Sequence, residues 1–147
     1  MTDNEFHAIV DTTARLMAQM LADRGLVKRP KLFVRMLDVY TKATSHSWGG
    51  THKPKGKARR PTITISKAYR NAAGHYWEYK AHREDPEIGE FVSANRMHHI
   101  LAIVAHEISH AADHWSGDHT AHGSEWRHRY RTLRREWGLT RHIIEGA

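Results

Sequence analysis

Apolar positions recur at helical spacing over the first part of the chain. Phe6, Ile9, Val10, Thr13, Met17, Met20 and Leu21 fall on one face. Thr2 and Glu5 have the three-residue spacing of a capping box, Gly25 suits the C-cap, and Pro30 bars continuation. Over residues 31–39 the pattern changes. Leu32, Val34 and Met36 alternate with Phe33, Arg35 and Leu37, which predicts a strand buried on both faces. From 40 to 60 no period persists, and Trp48-Gly49-Gly50 marks a turn. Thr62-Ile63-Thr64-Ile65-Ser66 is β-branched and alternating, a second strand. Residues 75–82, with Tyr76, Trp77 and Tyr79, suit a half-exposed edge strand. Residues 85–89 form a loop.

A second strong helical pattern follows. It runs from Ala94 to about Trp115, with Met97, Ile100, Leu101, Val104, Ile108 and Ala111 as one apolar stripe. After a polar loop, a last helix is expected from Ser124 to about Trp137. Its core face is Trp126, Tyr130, Leu133 and Trp137, and Gly138 ends it. No internal repeat or linker interrupts residues 1–147. The expected architecture is one α+β domain: a three-stranded sheet, antiparallel or mixed, packed with an N-terminal helix, the 94–115 helix and a C-terminal helix.

Composition narrows the chemistry. The 147 residues suffice for one hydrophobic core, and 39% hydrophobic with 27% charged residues is too apolar for disorder. The absence of cysteine excludes disulfides, thiolate metal sites and a cysteine nucleophile. No apolar run approaches the ~20 residues of a membrane span. Asp3, Glu5 and Asp11 replace the basic-then-apolar layout of an export signal, so a cytoplasmic protein is expected. The net charge of +7 admits an anionic partner, and fourteen histidines raise both the odds of a metal site and those of accidental histidine motifs.

One such motif stands inside the strong helix. His106-Glu107-Ile108-Ser109-His110 is an H-E-x-x-H. Residues i and i+4 lie about 40° apart and one turn along a helix, so both imidazoles can reach one metal. Glu107 is turned about 100° from His106, beside the open position of such a metal. Measured from Val104, His106 and His110 lie about 200° and 240° round the helix, away from the apolar stripe. A catalytic zinc wants a third protein ligand and a place for water. The metzincin continuation fails, because Asp113 stands for its glycine and Ser116 for its last histidine. His114, one turn past His110, is poorly placed on a straight helix. His119, His122 and Glu125 remain candidates, and His122 has the better context, followed by Gly123 and an aromatic-faced helix.

The pair H-E-x-S-H-A (106–111) and H-G-x-E-aromatic (122–126) resembles the SprT-like zinc metalloproteases, which include the proteases of DNA–protein crosslinks. The order of Ser47–Gly50, the strand Thr62–Ser66 and the site helix is similar to that family's strand–loop–strand–helix. The likeness covers roughly residues 32–137, and only the two motifs are specific. It implies a zincin-like fold, one catalytic Zn2+ held by His106, His110 and His122, Glu107 as general base, and a protein or peptide substrate. The family's usual zinc ribbon has no counterpart without cysteines.

Three neutral imidazoles would leave the zinc its charge, the condition for activating water near pH 7, and Glu107 would take the proton. Metal affinity should then fall in mild acid. An oxyanion-stabilising donor is also needed, with Tyr130, His119 and Tyr76 as candidates. The segment 52–60 carries Lys53, Lys55, Lys57, Arg59 and Arg60 without an acid, and the last helical region adds Arg127, Arg129, Arg131, Arg134, Arg135 and Arg141. Both suit DNA phosphates, and both equally suit a solvated surface. The rival expectation is therefore a basic nucleic-acid-binding or structural domain with a vestigial or structural zinc site.

Overall fold

The computed structural model describes residues 1–42, 49–52, 61–116 and 122–146, with backbone alone at 52 and 114–116. Helix α1 (Asp3–Asp23) begins as its sequence demands. The Thr2 hydroxyl accepts from Glu5 N–H and the Glu5 carboxylate accepts from Thr2 N–H. It ends in a Schellman turn: Gly25 takes φ +70°, and Leu26 N–H reaches the Leu21 carbonyl at 2.9 Å. Phe6, Val10, Ala14, Met17 and Leu21 are fully buried along its inner face.

The strand expected over 31–39 is instead mostly helix. Helix α2 spans Pro30–Met36, and strand β1 begins only at Asp38 (Asp38–Lys42). Pro30, at the start of α2, has its φ preset for a helix and lacks an N–H that would go unpaired there. The apparent alternation from 32 to 37 is a mixed apolar run. In the helix, Phe33 is fully buried while Leu32 and Val34 are only partly covered.

The main sheet is mixed. Strand β1 runs parallel to β3 (Thr62–Ser66), with Val39 opposite Ile63, and β2 (Gly49–His52) runs antiparallel on β3's other side, with Thr51 opposite Ile63. Its third strand thus comes from the Gly-Gly segment expected to be a turn. The stretch 75–82 does not join it. Only β4 (Gly74–Tyr76) is strand, pairing with β5 (Phe91–Ser93) in a separate two-stranded sheet, while Lys80–His82 is a 3-10 turn. The Asp85 carboxylate caps the following loop by accepting from Glu87 and Ile88 N–H.

Helix α3 (Arg96–Ser116) is the central element, touching α1, β2, β3 and helix α4 (Ser124–Glu136). Its apolar stripe packs as expected, and the flanks of that stripe are covered too: Ala105, Glu107, Ser109 and Ala112 are all buried. Gly138, at φ +67°, leads from α4 into a short helix α5 (Arg141–Gly146) that the residue pattern did not announce. No described helix is long and apolar enough to cross a membrane.

Candidate metal centre

His106 and His110 stand one turn apart on α3, their rings 4.9 Å apart and edge to face. His122 comes to them from the N-terminal side of α4. Its φ of +57° is the left-handed region, disfavoured for a side chain with a Cβ, so the chain accepts about 1–2 kcal/mol of strain to hold it there. Two contacts fix it. Tyr79 stacks flat on its ring at 4.0 Å, and its carbonyl lies 3.3 Å from His82 Nε2.

Trp126, in the first turn of α4 and fully buried, is the floor beneath all three. Its Nε1–H donates to the His106 carbonyl at 3.3 Å, and its ring lies 4.9, 5.1 and 4.6 Å from those of His106, His110 and His122. The core-face tryptophan of the aromatic helix is thus also the wall of the site.

The three imidazoles converge through nitrogen. His122 Nε2 is 3.0 Å from His110 Nε2 and 3.4 Å from His106 Nε2, and one ligand atom of each lies within 4.8 Å of the others. Tetrahedral zinc–nitrogen bonds of about 2.0–2.1 Å place neighbouring ligand nitrogens about 3.3 Å apart, so the set fits a zinc-sized ion. Among the described residues this is the cluster of histidines and acids spaced for a metal. Glu125 is outside it, exposed and 3.8 Å from Arg129, and His119 lies outside the described residues.

Glu107 sits beside the cluster, buried, with Oε1 3.9 Å from His106 Nε2. Its other oxygen, Oε2, lies 2.7 Å from the Thr51 hydroxyl on β2. Gly49, two residues earlier, lets that strand approach: a Cβ there would lie 3.1 Å from both Glu107 Cγ and the Thr64 carbonyl. Both β2 residues were hidden in a segment without periodicity.

Glu78 was also missed. Its Oε1 lies 2.7 Å from His106 Nδ1, the nitrogen turned away from the cluster. Its Oε2 accepts from the Tyr130 hydroxyl at 2.5 Å, and Arg134 donates to that hydroxyl at 2.9 Å. A signal existed. His75, Trp77 and Tyr79 are exposed while Tyr76 and Glu78 are buried, so a lone carboxylate fell on the inward phase of an alternating segment.

Charge follows from these contacts. Burial opposes protonation of His106, but Glu78, and more weakly Glu107, outweigh it and hold its pKa above the usual imidazole value. Burial also opposes ionisation of Glu78, which His106 and Tyr130 overcome, holding its pKa low. His122 is driven down to about 4, by burial and then by the positive His106. Of the two, His106 is thus the imidazole that takes a proton more readily and His122 the one that stays neutral with a free lone pair.

Tyr130 and Tyr76 are buried, and the Tyr130 hydroxyl is committed to Glu78, so neither faces a substrate carbonyl. His98 and His99 contact the hydroxyl and carbonyl of Ser93 rather than a metal. Lys53, Lys55, Lys57, Arg59 and Arg60 lie outside the described residues. The arginines of the last helical region are largely engaged within the fold. Arg129 and Arg134 are buried, Arg131 and Arg135 pair with Glu87, and Arg141 donates to the Glu90 carbonyl. The chain has no significant match to a protein-family model, to a curated protein or to a solved structure.

Proposed function

We propose that this chain is a zinc-dependent metallopeptidase with a zincin-like, SprT-like site, and that His106, His110 and His122 hold one Zn2+. The observation that carries the reading is the convergence of three Nε2 atoms at 3.0 and 3.4 Å beside a buried carboxylate. A purely structural zinc site has no use for that carboxylate. When bound, the ion would supply a Lewis acid that polarises a peptide carbonyl and lowers the pKa of water toward ~7.

The protein's own residues do the rest. Glu107, aimed by Thr51, accepts a proton from the attacking water and returns it to the leaving amine. Trp126 and the stacked Tyr79 exclude water from the back of the imidazoles and fix their planes. Substrate is a protein or peptide. Cleavage of an unfolded protein should stop with a chelator and return with Zn2+, and Glu107→Gln should keep the metal but lose at least about a hundredfold in rate. Undiminished cleavage by that variant would remove the general base from the account.

A second reading, a basic domain that binds nucleic acid, has one observation in its favour. Lys28, Arg29, Lys31 and Arg35, on and just before α2, are exposed and have no carboxylate partner among the described residues. Such cations suit phosphates, whereas the arginines of α4 are largely engaged within the fold. This surface is compatible with a peptidase acting on proteins near DNA, in the cytoplasm.

A further inference from the structure

Resting on that metal reading, we infer that Glu78 is a positioning residue for the centre, fixing which nitrogen of His106 faces the ion. A neutral imidazole carries one proton, and the nitrogen that keeps it cannot bind a metal. Glu78 Oε1 stands 2.7 Å from His106 Nδ1, a buried nitrogen with no other polar partner among the described residues, and as a carboxylate it favours the proton on that nitrogen, which leaves the Nε2 lone pair facing His122. The carboxylate also adds negative charge behind the ligand, which makes the imidazole a better donor to a cation.

Glu78 is held for this task. Its side chain is 1% exposed, and its second oxygen takes the Tyr130 hydroxyl at 2.5 Å. Arg134, itself fully buried, donates to that hydroxyl at 2.9 Å, to the Leu139 carbonyl at 2.7 Å and to the Gly89 carbonyl at 3.1 Å. Neighbouring backbone completes the clamp. Tyr79 N–H donates to Glu78 Oε1, and Glu78 N–H donates to Glu90 Oε2, both at 3.0 Å. A chain of contacts thus runs from α4 through residue 78 to a ligand on α3. At His110 the corresponding contact is longer: Asp113 Oδ2 stands 3.8 Å from its Nδ1.

The test reads metal binding and tautomer, without reference to catalysis. Zn2+ affinity is measured by competition with a chelator for wild type, Glu78→Gln and Tyr130→Phe, with folding checked by circular dichroism. Ring-nitrogen NMR of zinc-loaded wild type then identifies the His106 tautomer. The expected result is tight binding by wild type, a loss of about 10–100-fold in Glu78→Gln, and a smaller loss in Tyr130→Phe, which keeps the carboxylate. In wild type, His106 should show a protonated Nδ1 and a metal-bound Nε2. Equal affinity of folded Glu78→Gln and wild type, or a His106 bound through Nδ1, would overturn the role of Glu78 alone. Should Glu78→Gln fail to fold, the wild-type tautomer decides. A wild type that binds no Zn2+ would instead remove the metal reading on which this rests.

Discussion

The Thr51 hydroxyl on the edge strand β2 lies 2.7 Å from Glu107 Oε2 and 3.0 Å from the Glu107 backbone carbonyl on α3. One side chain thus ties the sheet to the helix at the residue assigned the proton transfer. Thr51→Val keeps the branched shape and removes the donor. A hydrogen bond to a charged group contributes about 1.5–3 kcal/mol, so cleavage should fall about tenfold or more while zinc content stays at the wild-type level. Steady-state kinetics beside metal analysis check this. An unchanged rate would show that Glu107 does not depend on Thr51 for its aim.

Gly49 makes the companion case through space rather than hydrogen bonding. A Cβ at this position would meet Glu107 Cγ and the Thr64 carbonyl, each at 3.1 Å, and a backbone carbonyl within the sheet cannot yield easily. Gly49→Ala should therefore displace the Glu107 side chain and destabilise the fold by about 1–3 kcal/mol. Activity should fall with the zinc ligands intact. A melt and an activity equal to wild type would mean that the strand moves away freely.

Much of this was legible in the residues, and the exceptions have physical causes. The α1 cap, the α3 stripe and the H-E-x-x-H face could be read because a period of 3.6 leaves a trace over twenty residues. Convergence of the third histidine could not be read from spacing, since it depends on a left-handed residue at 122 and a ring stacked from Tyr79. Short elements failed in both directions. In α2, the proline signal at residue 30 outweighed an alternation of six residues, and in β2 two glycines looked like a turn because they carry no side chain to alternate. Glu78 escaped because its partner arrives from another element, fifty-two positions along the chain at Tyr130.

Acid stability offers a test away from the site. Burial opposes ionisation of Asp85, but the N–H groups of Ile88 and Glu87, with Arg131, outweigh it and hold the folded pKa below the ordinary carboxylate value. The unfolded chain binds protons more readily there, with a pKa of about 3.9. Asp85 thus contributes stability that is complete well above the unfolded value and lost as pH falls through the lower folded one. Asp85→Asn should melt lower than wild type near pH 6, and the gap should close toward pH 2. A gap independent of pH would show that the charge of Asp85 contributes nothing.

Cations on α2 allow a further check. Reversing Lys28, Lys31 and Arg35 to Glu removes exposed charge without touching the site, so any weak DNA binding should drop severalfold and lose part of its salt dependence. Zinc content should not change. DNA binding equal to wild type in a mobility-shift titration at low salt would take this surface out of the account.

The central claim is that three histidines, two on α3 and one in the turn before α4, make one metal site. Elemental analysis after dialysis against a weak chelator addresses it most directly, comparing wild type with His122→Ala and with His128→Ala, an exposed histidine outside the cluster. The account predicts one zinc per chain in wild type and in His128→Ala, and a loss to well below half in His122→Ala. Equal zinc in all three, or none in wild type, would contradict it.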